Sequence, residues 1–248
     1  MDENSQKRLQ IALELKNNEN FEEAIKILEE LYSSNLDDEI VKNTLIDALF
    51  AYGGHLNDEF EMEYFKAAQC FKRIIEINPN DYRAHYNLGI AYFKMEKLED
   101  ALVSCNKALE IKPDYKHCYY NIGLIYETKE DFKKAQEYYQ KALEIDPTYR
   151  YAYQAVKDVE QKLEVLKEKQ KEEVKNENYI EQLKSLLSMS KRIHISMIQE
   201  ILGIDKSKML ELLIFWGKNF QCKLDGDYLK INKSTLPKLL KSLKNLNL

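Results

Sequence analysis

The chain repeats itself with a period of 34 residues, and this feature constrains its fold more than any other. Residues 82–114 and 116–148 align position by position. The matched residues are Asn87 with Asn121, Gly89 with Gly123, Tyr92 with Tyr126, Ala101 with Ala135, Ala108 with Ala142, and Pro113 with Pro147. A unit of this length buries its apolar face only when its copies stack. The array, rather than the single unit, is therefore the expected folding unit.

Each unit is typical of two helices joined by a short turn. Small residues such as Gly89 and Ala101 let the two helices approach closely, and the proline ends the second helix. This pattern resembles the tetratricopeptide repeat (TPR) family, whose 34-residue helix–turn–helix units stack into a solenoid. The resemblance implies a protein-binding groove that is lined by the first helix of each unit.

Two weaker units precede the clear ones. Ala67 and Ala24 keep the small-residue position of the second helix. Extra residues at 53–61, which begin with Gly53-Gly54, predict a surface loop inside the second unit. We therefore expect a mainly α protein that begins with a TPR-type solenoid of about four helix pairs in residues 1–149.

Residues 150–177 predict a long, charged helix that caps the solenoid and links it to the rest of the chain. Val156, Val159, Leu163 and Leu166 form an apolar stripe that can cover the last repeat, and beyond them Lys, Glu and Gln predominate. Such a sequence is typical of a solvated helix with charge pairs along its surface. We expect a monomer, with a homodimeric coiled coil through this helix as the alternative.

The charge changes sign in residues 178–248. This segment holds 12 Lys+Arg against 6 Asp+Glu, a net charge of +6, whereas the rest of the chain carries −11. Its sequence predicts a helix, a short strand at 192–195, two helices separated by Gly203, a hairpin around Asp225-Gly226-Asp227, and a final helix at 234–246. This order resembles winged-helix domains, including the PCI domains in which a winged helix follows helical repeats. A small α+β domain is expected here.

The third helix of this segment, 206–220, decides between two uses of the domain. Its outer face carries Glu211, Ile214 and Phe215, which suits a protein partner better than phosphates or base edges. A regulator that binds nucleic acid is the alternative. The basic residues that would contact phosphates in that case are Lys206, Lys208, Lys218, Lys223 and Lys230.

The resemblance also places a set of residues on the concave side of the solenoid. These residues, expected to be exposed in the groove, are Tyr86, Ile90, Phe93, Tyr120 and Leu124, together with Asn87 and Asn121. Some TPR proteins grip a C-terminal carboxylate with Lys, Arg and Asn residues, but Leu9 stands where the first unit would need a lysine. An amphipathic helix or an apolar peptide is therefore the expected ligand.

The sequence indicates neither catalysis nor a bound cofactor. It contains no nucleotide-binding, zinc-protease or nucleophile-elbow motif, and its four cysteines and four histidines show no metal-ligand spacing. The polar start and the lack of a long apolar stretch predict no signal peptide and no membrane span. We therefore expect a cytoplasmic, non-catalytic adaptor that binds a protein partner through its repeats and a second partner through its winged helix.

Overall fold

The computed structural model describes residues 2–57 and 63–243. These residues form two compact units, Met1–Leu163 and Glu164–Leu248. The first unit begins with eight helices: α1 (Glu3–Asn17), α2 (Phe21–Ser34), α3 (Glu39–Leu56), α4 (Tyr64–Ile77), α5 (Tyr82–Lys94), α6 (Leu98–Ile111), α7 (Lys116–Thr128) and α8 (Phe132–Ile145). Each helix packs against the next one. The four expected helix pairs are therefore present.

Small residues lie where the two helices of a pair approach each other. The repeated alanines of the second helices are fully buried: Ala24, Ala67, Ala101 and Ala135. On the facing helices, a Cβ added to Gly89 would lie 2.7 Å from the Cys105 sulfur, and one added to Gly123 would overlap the ring of Tyr139. The second helix of each pair thus occupies the space that a side chain at the glycine would need.

The expected loop at Gly53-Gly54 is corrected by the structure. Both glycines lie inside α3, which continues to Leu56. Gly53 is buried, and a Cβ there would lie 2.8 Å from a ring carbon of Phe71 on α4. Gly53 thus has the same close-packing role as the glycines of the later repeats. Residues 58–62 of the predicted loop lie outside the described residues.

The turns inside three of the repeats share one backbone motif. After α1, α5 and α7 the residues Glu19, Glu96 and Glu130 have φ values of 61°, 59° and 58°. The amide of the following residue bonds the carbonyl five residues earlier, as in Lys97 to Tyr92 at 2.9 Å. This is the Schellman ending of a helix, for which glycine is the usual residue.

A single long helix, α9 (Arg150–Met189), follows the repeats. In the first unit its residue Val159 is fully buried against Ala135 and Tyr139, and Val156 and Leu163 are half-buried beside them. This packing matches the first three positions of the expected apolar stripe, whereas the fourth, Leu166, is 41% exposed. The predicted break between a linker and a separate helix near residue 178 is wrong, because α9 runs through that position without interruption.

The second unit contains the expected small α+β arrangement. After α9 come β1 (Arg192–His194), α10 (Ile195–Leu202), α11 (Lys206–Phe220), β2 (Lys223–Asp225), β3 (Tyr228–Lys230) and α12 (Leu236–Ser242). The strands form an antiparallel sheet in the order β1-β3-β2. The predicted final helix begins two residues later than expected, and its residues beyond 243 lie outside the described part of the chain.

The turns of this unit follow the local signals in its sequence. Gly203 ends α10 with a φ of 61°, and Gly226 turns the hairpin with a φ of 59°. The Asp205 carboxylate caps α11 by accepting a hydrogen bond from the Lys208 amide at 2.8 Å. The core encloses Trp216, which is fully buried together with Leu183 and Leu187 of α9.

Candidate functional site

A chain of aromatic rings runs along the first helices of the last repeats. We call it the tyrosine track. The rings belong to α5, α7 and α9 or to the residues that immediately precede them. The track consists of Tyr82, Tyr86, Tyr115, His117, Tyr120, Tyr149 and Tyr151.

The 34-residue period produces the same ring contacts twice. Tyr86 meets Tyr115 edge to face with ring centroids 5.0 Å apart, and one repeat later Tyr120 meets Tyr149 at 5.6 Å. Edge-to-face pairs at such distances are favourable because the positive ring edge meets the negative ring face. Two more contacts recur with the same shift: Tyr115–His117 at 5.2 Å with Tyr149–Tyr151 at 5.9 Å, and Tyr86–His117 at 6.4 Å with Tyr120–Tyr151 at 6.2 Å.

His117 joins the two copies into one track. Its ring lies edge to face with Tyr149 at 5.2 Å, and its Nδ1 lies 3.1 Å from the Tyr149 hydroxyl, within hydrogen-bond distance. Tyr82 extends the track at the other end through its contact with Tyr115 at 5.0 Å. The result is a continuous aromatic surface that spans two repeats.

The track is uncharged at neutral pH. Burial raises the pKa of Tyr115 and of Tyr149 to about 12, so both phenols keep their protons. Burial, followed by the nearby positive charge of Lys116, lowers the pKa of His117 and keeps its imidazole neutral. The track therefore offers ring faces, hydroxyls and one neutral imidazole to a ligand.

Two lysines lie over the rings. Lys112 Nζ is 4.8 Å from the centroid of Tyr82, and Lys116 Nζ is 5.0 Å from that of Tyr149. Lys116 also forms an ion pair with Asp146, and this pairing holds the pKa of that carboxyl at about 2. The charge of Lys116 is thus balanced within the protein.

The residues predicted to line the groove are less accessible than expected. Tyr86, Ile90, Phe93, Tyr120 and Leu124 are all half-buried rather than exposed. Tyr120 and Leu124 pack against the cluster that contains Tyr139 and Val159. Packing between repeats therefore uses part of each of these two side chains, and only the remaining part faces outward.

The two predicted asparagines make contacts inside the protein. The Asn87 side chain donates to the Arg83 carbonyl of its own helix at 2.9 Å. The Asn121 side chain of α7 lies near the Tyr86 hydroxyl of the preceding repeat and favours its ionised form, which partly offsets the rise that burial causes in the pKa of Tyr86. Neither contact forms part of a carboxylate clamp.

Several members of the track were not predicted from the sequence. Tyr115, His117, Tyr149 and Tyr151 lie at or near the start of a helix, whereas the predicted groove positions lie further along their helices. A signal was nevertheless present. Tyr115 and Tyr149 are 34 residues apart, and so are His117 and Tyr151.

The basic residues of the second unit are exposed. This holds for all the predicted phosphate contacts: Lys206, Lys208, Lys218, Lys223 and Lys230. Lys223 and Lys230 lie opposite each other in the hairpin, and Arg192 lies opposite Lys230 on the other side, which makes a row of three cations across the sheet. Asp225 forms ion pairs of 3.0 Å with both Arg192 and Lys230.

The described residues also contain histidines, cysteines and carboxylates outside the tyrosine track. Among them, no group of three or more His, Cys, Asp or Glu residues could hold a metal ion. All four cysteines, Cys70, Cys105, Cys118 and Cys222, are free and buried. Burial raises the pKa of Cys70 to about 11, which disfavours the reactive thiolate. Within the same residues, no helix is both long and apolar enough to cross a membrane.

Comparison with known families supports the repeat assignment. A tetratricopeptide repeat family model matches residues 80–148, and a second TPR repeat model matches residues 63–96. The chain therefore contains TPR repeats, and the tyrosine track lies on their first helices and on the helix that follows them. No curated protein matches the sequence.

Solved structures resemble parts of this chain, and the one below with a TM-score above 0.5 supports the fold. The crystal structure of MamA protein is 21% identical, with a TM-score of 0.51 over 65% of this chain and 83% of that one. The first TPR of Spaghetti (RPAP3), bound to the HSP90 peptide SRMEEVD, is 22% identical, with a TM-score of 0.44 over 48% of this chain and 92% of that one. The Sgt2 TPR domain from Aspergillus fumigatus is 21% identical, with a TM-score of 0.46 over 50% of this chain and 82% of that one.

Proposed function

We propose that the protein is a non-catalytic adaptor whose TPR solenoid binds a peptide or helix of a partner protein along the tyrosine track. The observation that carries this proposal is the continuous chain of seven rings on neighbouring first helices. Tyrosine is enriched in protein interfaces because it combines a large apolar area with a hydroxyl and loses little side-chain entropy on binding. A repeating row of such rings matches an elongated ligand.

The chemistry of the track defines the class of ligand. The phenols and the imidazole are neutral at pH 7, and Lys116 already pairs with Asp146. The side chain of Asn87 is also hydrogen-bonded within its own helix, and that of Asn121 lies near Tyr86. Of the two lysines over the rings, only Lys112 is then left to pair with a terminal carboxylate, so these features disfavour a ligand held mainly by that group. They favour an amphipathic helix or an apolar peptide whose side chains insert between the rings.

Two tyrosines of α9 provide a matched test. Tyr151 belongs to the track and is 68% exposed, whereas Tyr153 is 52% exposed and contacts Lys157 instead. We expect Tyr151→Ala to weaken the binding of peptides selected from a displayed random library by about tenfold, as for a moderate interface hot spot. Tyr153→Ala should leave the affinity within about twofold, as expected for a residue outside the contact.

The affinities are to be measured by isothermal titration calorimetry with the full chain, and circular dichroism should show that both variants keep their helices. Equal affinities for Tyr151→Ala and the unaltered chain would place the binding surface elsewhere. Equal losses in both variants would also contradict the proposal, because the effect would then not depend on the track.

We further propose that the α+β unit is a winged-helix domain that attaches the adaptor to a second partner. The order of its helices and strands and its three-stranded antiparallel sheet support this assignment. The proposed location is the cytoplasm. The support is that all four cysteines are free, as is usual where thiols stay reduced.

A nucleic-acid contact is the second candidate function, favoured by the row of Arg192, Lys230 and Lys223 across the sheet. Each phosphate contact would reduce the logarithm of the affinity by about 0.9 for every tenfold rise in salt. Titration of the full chain with labelled DNA and RNA at about 150 mM salt tests this candidate. Nanomolar, sequence-selective binding that Lys223→Glu weakens would favour a regulator over an adaptor.

A further inference from the structure

The outer face of α11 is apolar although it is exposed. Leu210, Ile214 and Phe215 are 55%, 62% and 49% exposed. The opposite face of the same helix carries Met209 and Trp216, which are buried in the core. Three large apolar side chains together on an exposed helix face are typical of a contact surface rather than of scattered surface residues.

Two opposite charges flank Ile214 and Phe215 along the helix, and Leu210 lies just before the first of them. Glu211 lies three residues before Ile214, and Lys218 lies three residues after Phe215. Both are exposed, and neither has an ion-pair partner within residues 2–57 and 63–243. Their spacing along the helix places them on the same side as Ile214. The order along the face is therefore acid, apolar, apolar, base.

We propose that this face binds the same face of a second copy of the chain, with the two α11 helices antiparallel. A two-fold axis midway between Ile214 and Phe215 brings Glu211 opposite Lys218 of the second copy, and the reverse pair forms at the other end. Ile214 and Phe215 meet their counterparts between the two ion pairs, and Leu210 lies just outside them. Such an interface is isologous, so it closes as a dimer and does not extend into a filament.

The charge pattern favours a second copy over other partners. In a symmetric contact the face must complement a second copy of itself, and a face with an acid at one end and a base at the other does so. An unrelated partner does not require this arrangement of charges. Nucleic acid fits less well, because Glu211 would repel phosphates and Ile214 and Phe215 offer no hydrogen bonds to base edges. The dimer would carry two tyrosine tracks, but its formation does not depend on what they bind.

Charge exchange at the two positions tests the symmetry directly. In the full chain, Glu211→Lys alone or Lys218→Glu alone places like charges opposite each other twice. We expect each to raise the dimer dissociation constant by about tenfold, the combined effect of two exposed ion pairs. The double variant restores opposite charges and should return the constant to within about twofold of the unaltered chain. Analytical ultracentrifugation over a range of concentrations gives the constants.

A mixture of the two single variants provides the strictest test. Each variant associates poorly with itself, but a mixed dimer has only opposite charges across the interface, so mixing should restore association. The control is Lys238→Glu, an exposed change on α12, which should leave the dissociation constant unchanged. An unaltered chain that stays monomeric at about 100 μM would overturn the proposal. A mixture whose dissociation constant is no lower than those of the two single variants would also overturn it. So would α11 variants that change nucleic-acid binding while the molecular mass in solution stays the same.

Discussion

Gly53 and Gly54 are neighbours in α3 with different surroundings. A Cβ at Gly53 would lie 2.8 Å from a ring carbon of buried Phe71, whereas a Cβ at Gly54 would meet nothing within 4 Å. We expect Gly53→Ala to lower the free energy of unfolding by about 1–3 kcal/mol through overpacking. Gly54→Ala should raise it by about 0.5–1 kcal/mol, because alanine loses less backbone entropy in a helix. Urea denaturation measures both, and effects of the same sign would contradict this assignment.

The same pair shows why a residue's role can be hidden from the local sequence. Two adjacent glycines predict a turn, and nothing near them reveals that Phe71 on another helix occupies the space beside Gly53. Gly89 and Gly123 were interpreted correctly because their 34-residue spacing showed that they belong to a helix pair. Close packing against a distant part of the chain can be predicted from a single sequence only when the same residue recurs at the same position of a repeat.

The half-buried phenols of Tyr115 and Tyr149 make the free energy of unfolding depend on pH in the alkaline range. Burial raises the pKa of Tyr115 and of Tyr149 from 10.0 to about 12, so the folded state favours the neutral form more than the unfolded state does. This contribution to stability is complete below about pH 10 and is lost as the pH rises towards 12. We expect helicity measured by circular dichroism to stay constant up to about pH 10 and to fall between pH 10 and 12.

Replacement of one phenol provides the control for this prediction. Tyr115→Phe keeps the ring but cannot ionise, so the loss of helicity should move to higher pH. The phenolate absorbance of the folded variant should also lack one late-titrating group. An unchanged alkaline transition in Tyr115→Phe would mean that ionisation of this phenol does not drive the unfolding.

At the scale of the elements, three glutamates with a positive φ, Glu19, Glu96 and Glu130, occupy helix ends where another residue would make the fold more stable. Glu96 has a φ of 59° at the end of α5, where glycine avoids the steric cost of a Cβ. We expect Glu96→Gly to raise the free energy of unfolding by about 0.5–1 kcal/mol. The nearby change Lys94→Gly, in the last turn of α5, should lower it, because glycine inside a helix costs more backbone entropy on folding. Thermal denaturation of the two variants should therefore show melting temperatures shifted in opposite directions.

The elements predicted best are those with a local signal. Gly203, Asp205 and the Asp225-Gly226-Asp227 turn each impose a conformation on the backbone, and the structure has the predicted boundary at each of them. The break expected near residue 178 rested on a change in composition. No glycine or proline lies between residues 150 and 189, so nothing in the backbone ends α9 there.

The candidate site was predicted only in part for a related reason. The period placed Tyr86 and Tyr120 on the first helices, and both belong to the track. How far each side chain is buried depends on contacts with other helices, such as that of Tyr120 with Tyr139 at 5.5 Å. A single sequence shows the spacing of such residues but not which of them share a contact.

At the scale of the whole molecule, each unit encloses a core of its own. We expect fragments 1–163 and 164–248 each to unfold in one cooperative transition in scanning calorimetry. A fragment of residues 190–248 should show none, because it lacks Leu183 and Leu187, which are fully buried around Trp216. Cooperative unfolding of this shortest fragment would show that the α9 segment is dispensable. Lack of a transition in fragment 164–248 would show that the unit needs the repeats.

The distribution of the four buried thiols gives the protein its own reporters of local opening. Cys70, Cys105 and Cys118 belong to the first unit, and Cys222 belongs to the second. Because a buried thiol reacts with an alkylating reagent only after its surroundings open, the rate of labelling at each cysteine measures how often that region opens. Mass spectrometry of the labelled peptides would therefore measure the opening rates of the two units separately in one sample, without any engineered probe.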